Sequence, residues 1–304
     1  MRTNVDVLVI GSGPGGMSSA QYSARAGHNT MLIDPNGQGG QLLFIDKIEN
    51  YPGFENINGY LLSSYMEKQC ESFGVSFDMQ KAKKIEKRDN SFFVETDEGE
   101  IKAKAVIIAT GATHKKLGVK GEEEYFAKGV SYCATCDGPF FKNKRVVVVG
   151  GGDTALTDAY YLSSMCKEVT IIHRRDSFRA QQALVDRVKE KANISFAMND
   201  TVKEIKGNGE EVTSVLLESG KEIETDGVFI FVGITPSSSI VEKLCELENG
   251  FIKVNENKET TLSGLFACGD VTTTPFRQVV TAASDGAIAS HSADEYISSH
   301  SFTS

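Results

Sequence analysis

Three observations predict an α/β fold for this chain. Twice, an apolar run of strand length enters a glycine-rich turn, continues as a helical stretch and emerges as a second apolar run, over 5–34 and again over 144–173. The first such unit ends in an acid and the second in a cluster of bases. A last strand and a helix rich in small residues, 262–297, follow both. Strand, glycine turn, helix, strand is the Rossmann-like dinucleotide-binding unit. The chain therefore holds two of them, and if the last strand and helix complete the first unit, the second is inserted into it.

The first unit opens with "VDVLVI" (5–10), apolar except at Asp6 and rich in β-branched residues. In "GSGPGG" (11–16), Gly11 permits the tight turn, Ser12 and Pro14 lie within the loop, Gly13 lets backbone approach a pyrophosphate, and Gly16 lets helix and strand pack closely. The helix over 17–27 offers its N-terminal dipole to phosphates. "NTMLID" (29–34) then ends in Asp34, about 20 residues on, where a carboxylate meets ribose hydroxyls. The competing reading is a glycine-rich turn in an unrelated α/β protein.

The second unit runs "KRVVVVG" (144–150), a near-continuous apolar strand of the kind a covered parallel sheet requires. "GGGDTA" (150–155) supplies Gly150, Gly152 and Ala155 as G-x-G-x-x-A, with Asp153 and Thr154 opening the helix over 156–165. The strand "EVTIIH" (168–173) ends in "HRRDSFR", so His173, Arg174, Arg175 and Arg179 stand where the first unit has Asp34. Guanidinium groups suit a phosphate dianion by bidentate bonds, so this unit reads as preferring NADP(H), with a solvated basic cluster as the alternative. One acid-tipped and one arginine-tipped site in one chain point to a flavin and a nicotinamide, with hydride passing between them.

Further strands are expected at 104–113, through Thr110 and Gly111, at 225–236, and at 262–271, which ends in Gly269-Asp270. Asp270 is placed for a ribityl hydroxyl; a turn residue or helix cap is the alternative. The helix over 276–297 begins near Arg277 and Gln278, which can offer donors and a dipole end to a flavin's electron-rich edge. "GQGGQL" (37–42), with Gly40 and Gln41, and "NYPG" (50–53), with Asn50, are loops able to cover the flavin. Segments 92–108 and 212–230 read as hairpins.

Composition sets limits. The 304 residues carry net charge −9, which argues against nucleic acid or an anionic membrane as partner. No apolar run approaches the roughly 20 residues of a membrane span, and no signal-peptide pattern precedes the first glycine motif, so a cytoplasmic location is expected. Of six cysteines, Cys70, Cys166, Cys245 and Cys268 are scattered, and only Cys133 and Cys136 are close. Zinc needs four ligands, usually as two pairs, and one pair is present with no histidine close in sequence. A working dithiol fits better, because cysteines at i and i+3 can close a small disulfide ring; two inert cysteines remain the alternative. No metal is expected.

The motifs "GSGPGG", "GQGGQL", "ENYPG", "ATGA", "CATCDG", "GGGDTA", "HRRDSFRA", "ELENGFIKV" and "CGDV…RQVVTAASDG" cover nearly the whole chain, which closely resembles the low-molecular-weight, bacterial-type thioredoxin reductases. The resemblance implies non-covalent FAD, NADPH as donor, a homodimer, and oxidised thioredoxin as substrate. It implies an FAD domain over 1–113 and 247–304, interrupted by an NADPH domain over 114–246 that carries the dithiol. Cys136 should then face the flavin, Cys133 should attack thioredoxin, and Asp137 should protonate a leaving thiolate. If disulfide and nicotinamide use one flavin face, the inserted domain must rotate between half-reactions. The runner-up readings keep the scaffold with a small-molecule disulfide or a ferredoxin donor, or make it a flavin-bound redox sensor. Cys268 replaces the family's usual alanine and is expected to be buried and redox-inert.

Overall fold

Alternation along two central strands organises everything else. In the strand Arg2–Ile10, Val7 and Val9 enter one core while Leu8 and Ile10 enter another. In the strand Arg145–Val149, Val146 and Val148 face one core and Val147 and Val149 the other. Side chains alternate across a strand, so a sheet covered on both faces must be apolar at every position. The computed structural model describes residues 2–45 and 47–302. They divide into two compact units, 1–113 with 235–304, and 114–234.

The first unit is built on a seven-stranded sheet. Strands Ser76–Asp78, Thr30–Ile33, Arg2–Ile10 and Glu100–Ile108 run parallel in that spatial order, and Leu265–Ala267 pairs parallel with Glu100–Ile108. Ser91–Thr96 and Ala82–Arg88 continue it antiparallel. Helices Pro14–Arg25 and Val279–Ser299 pack closely, because Gly15, Ser19 and Gly286 meet with no room for a larger side chain: a Cβ on Gly286 would collide with the Gly15 carbonyl. The Ser23 and Ser290 hydroxyls bond across this contact at 2.8 Å, and Ser18 donates to the Ala283 carbonyl at 2.7 Å.

The second unit has a five-stranded parallel sheet, in order Ile194–Met198, Glu168–His173, Arg145–Val149, Gly227–Ile230, Val130–Ser131. An antiparallel meander of Val202–Gly207, Val212–Leu217 and Glu222–Glu224 accompanies it.

Three expectations shift. The hairpin expected over 212–230 ends at Glu224; Gly227–Ile230 is buried at every position and joins the parallel sheet instead. The final helix begins at Val279, since Gln278 caps it with a reciprocal bond to Thr281. The return crossing lies at 234/235 rather than 246/247. Val241 is fully buried in a core of the first unit, with Ile240, Leu244 and Cys245 packed against it, so 235–246 belong there.

Candidate active site

Cys133 and Cys136 are joined as a disulfide, with Cα atoms 5.3 Å apart, inside the range such bonds span. That removes the zinc alternative for this state, and no metal-binding cluster occurs among the described residues. The pair sits on the single helical turn Ala134–Asp137, for which Cys133 is the N-cap: its Sγ accepts the Cys136 N–H at 3.2 Å. The turn is fixed from beneath. Ala134 is buried in the core that includes Leu156, Ala159 and Leu162, and a Cβ on Gly138 would press against Leu162 at 3.0 Å.

Asp137 closes this turn. Ser131 donates to its Oδ2 at 2.6 Å, and the same hydroxyl oxygen accepts the Cys133 N–H at 3.0 Å. Burial raises the Asp137 pKa above the ordinary 3.8, only partly opposed by the Ser131 bond. The other four cysteines are free. Burial pushes Cys70 and Cys268 up to about 12, and Cys166 and Cys245 up to about 11, so none supplies a thiolate near neutrality. Cys268 is enclosed between Gly15 and Ser19.

The first glycine turn is shaped for a pyrophosphate. Gly11 has φ +103°, and a Cβ there would collide with the Ala109 carbonyl. Gly16 packs against the Gly11 carbonyl just as tightly. Gly13 differs: a Cβ on it would meet nothing within 4 Å, so its surface is open. The helix behind it starts at Pro14 with no side-chain cap and no acid in its first turn, leaving its first amides for an anion. The "GQGG" loop folds back here, the Gly39 N–H donating to the Ser12 carbonyl at 3.0 Å, with a Gly40 Cβ 3.2 Å from the Gly13 Cα. Asp34 holds the turn: its Oδ2 accepts the Ser12 N–H and its Oδ1 the Asn36 N–H, both at 2.9 Å.

Around this turn, several expected ligands are committed to the protein. Gln41 donates to the Ala112 carbonyl, and Thr110 to the Ser237 carbonyl at 2.6 Å, while the Gly111 carbonyl accepts the Ser237 N–H at 3.0 Å. Asn50 donates to Gln278 Oε1 at 2.9 Å. Arg277 folds back, with Nε 3.4 Å from the Asp270 carbonyl and Nη2 3.2 Å from the Thr272 carbonyl, its guanidinium 4.4 Å over the Phe251 ring. Asp270, on the turn Gly269–Val271, is pushed up to about 6 by burial; Arg277 opposes this and Asp285 adds to it.

The second glycine turn repeats the open position. A Cβ on Gly152 meets nothing within 4 Å, and the helix Asp153–Ser163 has no side-chain cap. A Cβ on Gly150 would press on the Phe231 carbonyl and on Ala155. The arginine loop is stapled over this turn, as the Arg179 N–H donates to the Gly151 carbonyl at 2.8 Å and the Gln181 N–H to Asp153 Oδ1 at 2.9 Å. Thr154 is exposed on the first turn of that helix. Arg174, Arg175 and Arg179 are exposed, and their guanidiniums have no ion-pair partner among the described residues. His173 departs from that group. It is 7% exposed, its ring lies directly under Gly151, and burial followed by the three arginines lowers its pKa. It is a neutral floor to the turn.

Asp153 as a staple and the floor role of His173 were beyond sequence reasoning, because each acts across a fold-dependent distance with no local motif. Ser131 was missed although it lies two residues before Cys133, where a serine hydroxyl readily accepts a following amide.

The pattern of the family described as pyridine nucleotide-disulphide oxidoreductase matches residues 5–286. A thioredoxin reductase of Treponema pallidum is 44% identical over 303 residues, covering 98% of both chains. The crystal structure of a thioredoxin reductase from Streptococcus pyogenes is 41% identical, with TM-score 0.94 over 98% of this chain and 99% of that one. That of Lactococcus lactis in the FR conformation, also 41% identical, gives 0.66 over 97% of this chain and 100% of that one. A disulfide in a chain with two dinucleotide folds thus defines the class, the flavin- and nicotinamide-linked disulphide oxidoreductases. Within that class the chain belongs to the thioredoxin reductase family.

Proposed function

We propose that the chain is an NADPH-dependent, FAD-containing reductase of thioredoxin disulfide. The observation that carries this is the Cys133–Cys136 disulfide, on a capped turn of a unit whose own glycine turn lies beside three unpaired arginines. The first unit holds FAD without a covalent bond, through the open face of Gly13, the first amides after Pro14, and Asp34. The second holds NADPH, with the 2′-phosphate on Arg174, Arg175 and Arg179. When bound, FAD supplies the electron relay between nicotinamide and disulfide.

The chain's own residues do the rest. Reductive opening of the disulfide leaves Cys133 Sγ facing the Cys136 amide, which stabilises it as thiolate. That thiolate attacks one sulfur of the thioredoxin disulfide, and the mixed disulfide forms as the other thioredoxin sulfur leaves. Asp137, holding its proton nearer neutrality, protonates the leaving sulfur. Cys136 then displaces the second sulfur and the ring closes.

Rotation of the dithiol unit between half-reactions belongs to the same reading, because disulfide and nicotinamide must each take a turn at the flavin. A homodimer in the cytoplasm completes the reading. It is supported by exposed apolar side chains at Phe44, Tyr60, Leu61 and Tyr65, by four free cysteines, and by the absence of any membrane-spanning helix among the described residues.

The test is steady-state oxidation of NADPH against NADH, with oxidised thioredoxin as acceptor. NADPH is expected to be preferred at least tenfold, and replacing all three arginines by alanine to abolish the preference. No thioredoxin-dependent oxidation of either nucleotide would refute the proposal.

A further inference from the structure

The turn Asn255–Glu259 lies against the last helix of the first unit. Asn255 Oδ1 holds it shut by accepting the amides of Asn257 and Glu259, both at 3.0 Å. Ser292 on the helix donates to the Asn257 carbonyl at 2.7 Å. Seven residues earlier on the same face, Asp285 Oδ1 meets Lys258 Nζ at 2.7 Å, with the two side chains only 11% and 18% exposed. Lys258 reaches this point from a left-handed backbone, φ +62°, which a side chain adopts only where the surroundings hold it. The other carboxylate oxygen, Asp285 Oδ2, faces the Gly269 N–H at 3.4 Å.

Gly269 directly precedes Asp270, the residue assigned above to a flavin hydroxyl. Two carboxylates therefore share one corner, Asp285 paired with Lys258 and Asp270 faced by the Arg277 guanidinium. We infer that Lys258 and Asp285 form a buried positioning pair for the flavin site. Asp285 faces the Gly269 amide, and Lys258 offsets part of the charge that acts on Asp270.

A buried carboxylate stripped of its partner is far more costly than a pair removed whole. With Lys258 gone, the Asp285 carboxylate has lost its counter-charge beside Asp270, and a second carboxylate disfavours the ionised form that accepts from a polyol hydroxyl. With both charges gone, the carboxamide that replaces the Asp285 carboxylate still offers an oxygen to Gly269, and Asp270 is left with Arg277 as its charged neighbour. The inference rests on the FAD reading and deepens it.

The experiment measures FAD dissociation from reconstituted apoprotein, by flavin fluorescence, together with the apoprotein melting temperature. Lys258→Met is expected to raise the FAD Kd at least tenfold. Lys258→Met with Asp285→Asn is expected to return it to within threefold of the unaltered protein. Lys258→Arg, which keeps the charge, stays tight, and Lys258→Gln, of similar length, repeats the comparison if Lys258→Met fails to fold. An unchanged Kd in the uncharged variants overturns the inference, as does a double variant no better than the single, or a fall in apoprotein melting temperature without loss of FAD. An unaltered protein that takes up no FAD refutes the cofactor reading itself, and the inference with it.

Discussion

Asp137 and Asp158 carry the same chemistry into opposite outcomes. Both are carboxyls whose pKa is raised by burial, Asp158 to about 6. Asp137 follows the dithiol and has Ser131 to orient it, so its retained proton is useful. Asp137→Asn should lower kcat by about 10- to 100-fold while FAD content stays unchanged. The fall in rate as pH rises through the Asp137 pKa should vanish in the variant; an unaltered pH profile would remove Asp137 from the chemistry. Asp158 has no hydrogen-bond partner among the described residues. Its folded pKa lies above the ordinary 3.8, so its contribution to stability is complete below that value and is lost as pH rises through about 6. At about 1.4 kcal/mol per pKa unit, Asp158→Asn should stabilise the nucleotide-free protein by about 1–3 kcal/mol at pH 8. The gain should shrink below pH 6, as urea unfolding at several pH values would show.

The glycine turns show why elements differ in legibility. The motifs announce themselves because tight turn, close packing and open cradle each need glycine at a fixed offset within six residues. The central strands announce themselves because both faces are buried. The motif offsets already assign Gly13 to a ligand and Gly16 to packing; what no motif does is mark Gly286 as a packing glycine. Space around the Cβ does so. Gly286→Ala should destabilise the apoprotein by about 2 kcal/mol or more, because backbone of a neighbouring helix fills the site. Gly13→Ala should leave apoprotein stability within about 0.5 kcal/mol and weaken FAD binding at least tenfold, since its neighbourhood is open. Equal loss of stability in both would deny the cradle. The arginine cluster was legible as a charge pattern, but the separation of His173 from it required knowing that its ring lies under Gly151.

At the scale of the whole molecule, the order of the two units could be read from the repeat of strand, turn and helix. The return crossing could not. Residues 235–246 carry no motif, and their membership is decided by Val241 entering a core built mostly on strands that precede it by more than a hundred residues in sequence. The dithiol likewise had to be fitted into a circuit: two cysteines alone left several chemistries open, and the two nucleotide units supply a donor and a relay with the disulfide as acceptor. In the proposed circuit, electrons from NADPH end on Cys133 and Cys136. The direct test adds NADPH anaerobically to the FAD-loaded protein, alkylates the thiols and locates the labels by mass spectrometry. Labels are expected at Cys133 and Cys136, dependent on NADPH and absent when oxidised thioredoxin is added first; a disulfide that stays closed under NADPH would refute the circuit.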